Sequence, residues 1–557
     1  MLFDPFLTHC PFVVQAQASR SIGGNGRRTS HNPPDPTLLD IYDRLGMVVM
    51  DENRLFDNNT DYIKNMGDLV RRDRNHPSVV IWSFCNEGGC EGKHEEGGPA
   101  FQAITTKYDG TRPTLANMFT FNDLLSNTVD VQGFSHQLRE KLDDCHAALP
   151  NKPIFMSECC SCNTMRQEDE GCETQHDNPH SPCDQKAFNA RCLDLLVNAS
   201  DGVEYSAGTM VWTLFDYYGE PPSRGLTVSS TYGQFDLCGF PKSAAFWFRS
   251  QWLLGVDDGR IDKPFPTHGN YEVQIVESWE SPDHWNSTRG NKTKTIHAYA
   301  NAPLVELFVN GKSQGSRPIV PMVAGDGGSY AEWQDPPWEA GTLTAIARAA
   351  NGTQVASTQR QTNGAATRLV LSLDCPSEST GTGASLFLDG QDVALVRATV
   401  VDSLEQLVHL ASHNITFSIL SGPGRIQGTA NGDPKSYQSH TSPSQTAYHG
   451  LVRAVVRVTS IAGLDLRQKQ LLGEVHGTAL FECAGPSLYD ESDIVIQATS
   501  PGFKPVQLRI PTSTDASVSS VLAVAKAGAG KAVDFFYSNP SSLIHPKKVP
   551  DLPASTV

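Results

Sequence analysis

Five short apolar runs in the first 260 residues, each closing on polar or acidic side chains, constrain this chain more than any other feature. Residues 46–52 close on Asp51 and Glu52, residues 79–87 on Asn86 and Glu87, and residues 153–158 on Glu158; residues 129–134 and 208–216 have the same form. A strand that is apolar along its whole length has no face to offer water, so it belongs in a parallel sheet covered by helices. Helix-like segments lie between the runs, at residues 37–45 and 184–198. Strand alternating with helix is the α/β pattern. In a closed (β/α) barrel the C-terminal ends of the strands carry the site. A doubly wound sheet would place a ligand similarly, but no glycine-rich phosphate turn follows any of these runs, so a nucleotide site has no support.

Beyond about residue 262 the texture changes to short, partly alternating segments at 295–300, 304–309 and 343–348, separated by turn signals such as Asn310-Gly311 and Asn351-Gly352. This predicts a β-sandwich over 263–364. A second all-β block, with strands at 393–401, 415–419 and 494–499, predicts another over 365–512. Residues 513–557 are rich in Ser and Ala and end in a Pro-Lys-Lys-Val-Pro stretch, which predicts a disordered tail.

The totals exclude several classes. A length of 557 residues implies roughly three to four domains. The net charge of −17 argues against nucleic acid, whose phosphates need basic partners. No apolar run reaches the roughly 20 residues of a membrane helix. The thirteen cysteines are an odd number, concentrated from Cys85 to Cys238, with Cys159, Cys160 and Cys162 nearly adjacent. No second Cys-x-x-Cys unit or neighbouring His pair completes a zinc set, so no metal or other cofactor is expected and disulfides or buried thiols are the better reading. Six Asn-x-Ser/Thr sequons lean toward a secretory route, although residues 1–18 lack the basic start of a signal peptide.

Two carboxylates dominate the chemistry. Glu87 and Glu158 each end a run that should be buried, and neither has a basic neighbour in sequence. Cleaving a glycosidic bond with retention needs one carboxylic acid to protonate the leaving oxygen and one carboxylate, about 5 Å away, to attack the anomeric carbon. Two carboxyl groups that close divide the roles between them, because the charge on one disfavours charge on the other. An isolated strand-end acid is more often a helix cap or an ion-pair partner; the surrounding residues reverse those odds.

Residues 72–87, from Arg72-Asp73-Arg74-Asn75-His76-Pro77 through Trp82 to Asn86-Glu87, resemble the acid/base signature of glycoside hydrolase family 2, which includes β-galactosidases, β-glucuronidases and β-mannosidases. Arg28-Thr29-Ser30-His31-Asn32-Pro33 resembles its second barrel strand, residues 45–52 its third, residues 153–158 the nucleophile strand, residues 210–216 the eighth, and Gly239-Phe240-Pro241-Lys242 the closing turn. The resemblance implies a barrel over 25–262 with Glu87 as acid/base and Glu158 as nucleophile. It also implies that Asn86 hydrogen-bonds the sugar 2-hydroxyl, that Arg28 holds the nucleophile ionised, that His31 contacts the sugar, and that Trp212 offers an apolar face to the ring. Asp51 and Glu52 read as supporting acids. Residues 300–312 and 389–434 resemble modules that follow the barrel in family β-galactosidases, which favours a β-D-galactosyl substrate over a glucuronide or another β-glycoside.

The sequence also departs from the family. Residues 1–24 match neither its leading domains nor its first barrel strand, so the expectation is an N-terminally truncated (β/α)8 barrel lacking that strand, followed by two immunoglobulin-like sandwiches. A seven-stranded remnant would leave two open edges. Where relatives often have Asn-Tyr after the sixth strand, this chain has Ser135-His136. The rival readings are a carbohydrate-binding remnant without turnover and a metal-binding cysteine cluster. The sequence does not specify an oligomeric state.

Overall fold

The computed structural model describes residues 10–122, 124–166, 203–221, 227–252, 271–281, 295–320, 328–377, 382–459 and 492–515. The helix expected at 184–198 and all but the first residues of the expected tail lie outside them.

Helix α1 (Cys10–Ser21) precedes β1 (Gly26–Arg28). There follow α2 (Pro36–Leu45), β2 (Val48–Glu52), α3 (Thr60–Asp73), β3 (Val79–Asn86), α4 (Gly98–Tyr108), β4 (Thr114–Met118) and α5 (Leu125–Thr128). The barrel closes with β5 (Val131–Ser135), α6 (Arg139–Ala148), β6 (Ile154–Cys160), β7 (Ser206–Trp212) and α7 (Ser243–Trp252). The seven strands pair in chain order, all parallel, as one nearly closed barrel sheet. The local reasons are ordinary ones. Asp35 caps α2 by accepting from Thr37 N, with Pro36 in the first turn and Gly46 in the left-handed C-terminal position. Asn59 caps α3 in the same way. Gly133 in β5 lets the sheet close up, since a Cβ there would lie 2.7 Å from Ser157 Oγ.

The segment that sequence patterning left unmatched is not idle. Pro11 sits in the first turn of α1, where its missing N–H costs nothing. One side of α1 (Phe12, Val13, Ala16) packs with Leu39 and Tyr42 of α2, and the other (Cys10, Val14, Ala18) with Phe134, Trp247 and Phe248. Arg249 Nη1 donates to Ser21 O at 2.8 Å, and a Cys10–Cys375 disulfide ties the helix to the second sandwich. Between the outer strands, a Cβ on Gly26 would come 3.1 Å from Met210 Cε, so β1 and β7 flank a narrow seam filled by side chains and not a wide gap.

The first sandwich pairs a four-stranded sheet (strands from Leu304–Val309 to Gln354–Gln361) with a three-stranded one (Val273–Ile275, Ile296–Ala300, Tyr330–Trp333) around Val305, Leu307, Trp333 and Leu343. The second packs two four-stranded antiparallel sheets around Val396, Val400, Phe417, Val452 and Ile496, with Val393–Val401 buried along its length. A short pair, Leu386–Phe387 with Thr512–Ser513, keeps the chain ordered past Pro511, so Ser513, expected in a disordered tail, is in a strand. Among the described residues no helix is long and apolar enough to cross a membrane.

Candidate active site

Register alone gathers the polar strand ends. Arg28 ends β1, Glu52 ends β2 opposite Ser83 of β3, Asn86 lies opposite Asn117 of β4, and Ser135 of β5 opposite Glu158 of β6. Each side chain is thus carried to the C-terminal mouth of the barrel by a buried strand, the most rigid mounting the fold offers.

Arg28 organises the floor. Its Nε and Nη2 donate to the two oxygens of Glu52 at 2.7 and 3.0 Å, Nη1 donates to Glu158 Oε2 at 2.5 Å, and Nη2 also donates to Asn86 Oδ1 at 2.7 Å. Burial alone would lower the pKa of the guanidinium, but the two carboxylates more than offset it and raise the value. Glu52 is fully buried; that burial is outweighed by Arg28 and His31, which hold its carboxyl below the usual range. Ser83 Oγ donates to Glu52 as well, at 2.8 Å. Glu158 receives a single bond from the same cation and sits deep, so burial raises its carboxyl against the pull of Arg28, and the nearby Glu87 adds to the rise. Beneath them Asp51 is pushed well above its ordinary value, first by burial and then by Asp73, itself held by Arg72. The Arg72-Asp73 pair of the sequence signature therefore braces the strand that carries Glu52.

Glu87 leaves β3 in a left-handed conformation, with φ at 51°. Ser135 Oγ donates to Glu87 Oε1 at 2.7 Å. One carboxylate oxygen each of Glu87 and Glu158 and a ring nitrogen of His136 all lie within 4.8 Å of one another. Asn86 presents its oxygen to both Arg28 Nη2 and Asn117 Nδ2 (2.6 Å), so its Nδ2 group takes no part in those bonds. Asn117 in turn accepts from Ser157 at 2.6 Å. A Cys85–Cys90 disulfide brackets Asn86 and Glu87, and a Cys159–Cys160 disulfide follows Glu158 directly. Cys145 and Cys238 are free and buried.

His31 hydrogen-bonds Glu52 Oε1 at 3.0 Å and stacks on Trp212 with centroids 5.0 Å apart, so one face of the indole is already covered. Trp212 Nε1 donates to Tyr217 OH at 2.9 Å. All six residues singled out from the sequence stand on this one mouth. Asn117, Ser135 and His136 join them without having been named as site residues.

Residues 11–252 match the family description "Glycosyl hydrolases family 2, TIM barrel domain", and residues 381–464 match "Glycoside hydrolase family 2 C-terminal domain 5". The chain belongs to glycoside hydrolase family 2. Residues 291–356 match a domain of unknown function, DUF4982. Among relatives of this family 2 chain, a protein named beta-galactosidase BoGH2A from Bacteroides ovatus is 28% identical over 515 residues, covering 79% of this chain and 55% of that one. A beta-glucuronidase from Canis lupus familiaris is 29% identical over 281 residues, covering 43% of this chain and 40% of its own. The chain spans about half the length of the curated relatives it matches. A solved family 2 structure from Bacteroides cellulosilyticus superposes with a TM-score of 0.65 at 21% identity, over 90% of this chain and 58% of that one, and shares the fold.

Among the described residues, two groups bring three ligand-type side chains within 4.8 Å: Asp40, Asp43 and His76 on the barrel's outside, and Glu87, His136 and Glu158. The first is taken up internally, since Asp43 accepts from Ser78 N at 2.9 Å and pairs with His76 at 2.7 Å. The second is the carboxylate pair itself, with His136 Nδ1 3.8 Å from an oxygen of each.

Proposed function

We propose that this chain is a retaining β-glycosidase acting on terminal β-D-galactosyl residues, with Glu158 as nucleophile and Glu87 as acid/base. The observation that carries the reading is the pair of carboxylates with oxygens within 4.8 Å. Retaining enzymes hold theirs about 5–5.5 Å apart, whereas inverting ones leave room for a water at about 6.5–9.5 Å. Glu158 attacks the anomeric carbon while Glu87 gives its proton to the departing oxygen. The glycosyl ester neutralises Glu158, and Glu87, now ionised, takes a proton from the water that releases the sugar. Arg28 stabilises Glu158 in its charged form before attack and as it leaves. Asn86, its oxygen occupied, has its Nδ2 group to offer the sugar 2-hydroxyl. Trp212 has one face for the ring, the other being covered by His31.

Galactose is favoured by the similarity to BoGH2A across barrel and following modules together. The relatives named beta-glucuronidase support a second reading, a glucuronide. The test is hydrolysis of a panel of aryl β-glycosides by the full chain and by Glu158→Gln. Turnover of the galactoside that is lost in the variant supports the proposal. Turnover of the glucuronide alone moves the assignment to the second reading. Binding of a sugar without turnover of any substrate would make the chain a carbohydrate-binding remnant.

A further inference from the structure

Ser135, His136 and Ser161 form a hydrogen-bonded row that ends on Glu87. Ser135 Oγ lies 2.7 Å from Glu87 Oε1 and 2.8 Å from His136 Nδ1, and His136 Nε2 lies 2.9 Å from Ser161 Oγ. Ser135 is fully buried; His136 and Ser161 are half-buried, so the row runs from the acid toward solvent. His136 and Ser161 both hold left-handed backbone, with φ of 53° and 56°, a conformation that side chains other than glycine adopt at a cost. Two backbone bonds pin them there, from His136 N to Glu158 O at 2.9 Å and from Ser161 N to Trp212 O at 3.2 Å.

A serine hydroxyl carries one proton and a neutral imidazole carries one, so the row can be filled without conflict in two ways. With Glu87 ionised, Ser135 donates to it, His136 donates to Ser135 through Nδ1, and Ser161 donates to Nε2. With Glu87 protonated every donor reverses: Glu87 donates to Ser135, Ser135 to Nδ1, and Nε2 to Ser161. Passing from the second filling to the first breaks the O–H bond of Glu87 as one forms on Ser135. The Ser135 proton goes to Nδ1, the Nε2 proton to Ser161, and the Ser161 proton to water, so one proton leaves and each atom ends with its proper valence. That passage is the titration of the free enzyme; in turnover Glu87 visits the same two protonation states, but its proton leaves on the glycosidic oxygen and is regained from water, so Ser135 accepts from the carboxyl before that transfer and turns its own O–H to the carboxylate after it.

We propose that Ser135, His136 and Ser161 are a reversible hydrogen-bond chain that gives Glu87 a donor when it is ionised and an acceptor when it is protonated, with Ser135 in contact and His136 as the positioning residue whose tautomer follows the carboxyl. The proposal rests on Glu87 being the acid/base. Among the described residues, the charged groups facing His136 are Glu87 and Glu158, each 3.8 Å from Nδ1, while Arg28 engages the other oxygen of Glu158. An imidazole has two nitrogens that can exchange donor and acceptor roles.

Two measurements test it. In the full chain labelled with ¹⁵N-histidine, the His136 signals are those that vanish in His136→Phe. The protonated nitrogen is expected to pass from Nε2 to Nδ1 between acid and alkaline pH, and not to do so in Glu87→Ala. One tautomer throughout, or an imidazolium across the range, overturns the chain. In turnover, Ser135→Ala is expected to slow aryl glycosides with poor leaving groups about tenfold, as loss of one hydrogen bond to a charged group would, and those with good leaving groups far less. Ser135→Thr should restore the rate. Equal slowing of both substrate classes would indicate packing and overturn the proposal. Failure of the underlying reading shows separately: Glu87→Ala should be rescued by azide, giving a glycosyl azide. No rescue would retire the acid/base assignment, while the tautomer measurement would still decide the chain.

Discussion

Arg28→Lys separates the two duties of the central guanidinium. Arg28 spreads one charge over hydrogen bonds to both oxygens of Glu52, to Glu158 and to Asn86, with His31 Nδ1 at 3.3 Å from Nη2 as well. The side chains are 3% exposed for Arg28, 0% for Glu52 and 7% for Glu158, so the small value typical of surface pairs does not apply. A lysine ammonium is a single point without the planar fork, and it reaches one carboxylate, not both. If it stays with Glu52, Glu158 loses a charge-assisted bond worth about 1.5–3 kcal/mol, which at about 1.4 kcal/mol per decade is a fall in kcat/KM of about 10- to 150-fold. If it moves to Glu158, the buried Glu52 loses its guanidinium and keeps only its contacts with Ser83 and His31, at up to about 3–5 kcal/mol of stability. The pH sign follows from Glu158, whose carboxyl burial already raises and Arg28 pulls down. With that pull weakened, the ionised nucleophile is confined to higher pH, so the deficit should widen as pH falls. The assay is kcat/KM across pH beside the thermal unfolding midpoint of the same sample. A variant that unfolds earlier yet keeps kcat/KM within about threefold at every pH would refute the reasoning and leave Arg28 a strut for Glu52.

Asn86→Ala should cost about 2- to 12-fold in kcat/KM on a normal glycoside, and little on its 2-deoxy analogue, if the amide serves the 2-hydroxyl. Cys10→Ser opens a link between residues 365 apart in sequence and should lower stability by about 2–4 kcal/mol in denaturant unfolding. His297 is buried between Glu277 and Glu332, and although burial opposes it, those acids raise its value from 6.5 to about 9. A raised histidine contributes in full below 6.5 and is lost as pH rises toward about 9, so the unfolding midpoint should decline across that window, and the decline should be absent in His297→Gln.

The sequence was most informative where burial and chemistry coincide. Glu87 and Glu158 stand out because each ends an uninterrupted apolar run, and such a run is both a buried strand and a rigid mount. Asp51 and Glu52, read as supporting acids, are the ones that brace Arg28 and β2. Asn117 escaped because β4, Thr114–Met118, breaks its apolar residues with Thr114 and Asn117, so no continuous apolar run marks it. Helix α3 escaped because its apolar side chains are scattered among charges and only its inner face is buried. Helix α1 was masked by Pro11, which patterning treats as an interruption and a helix tolerates in its first turn. Ser135-His136 looked like the loss of a tyrosine. Only the three-dimensional placement, with Ser135 beside Glu158 in register and bonded to Glu87, gives the pair a role, because neither contact is local in sequence.

The most direct test of the central claim is to trap the intermediate. The full chain is incubated with an activated 2-deoxy-2-fluoro-β-galactoside, digested, and the labelled peptide sequenced by mass spectrometry. A single fluorosugar carried on Glu158, absent in Glu158→Gln, is the predicted result. A label on a different residue, or turnover of the parent galactoside with release of the inverted anomer and no covalent adduct, would contradict it.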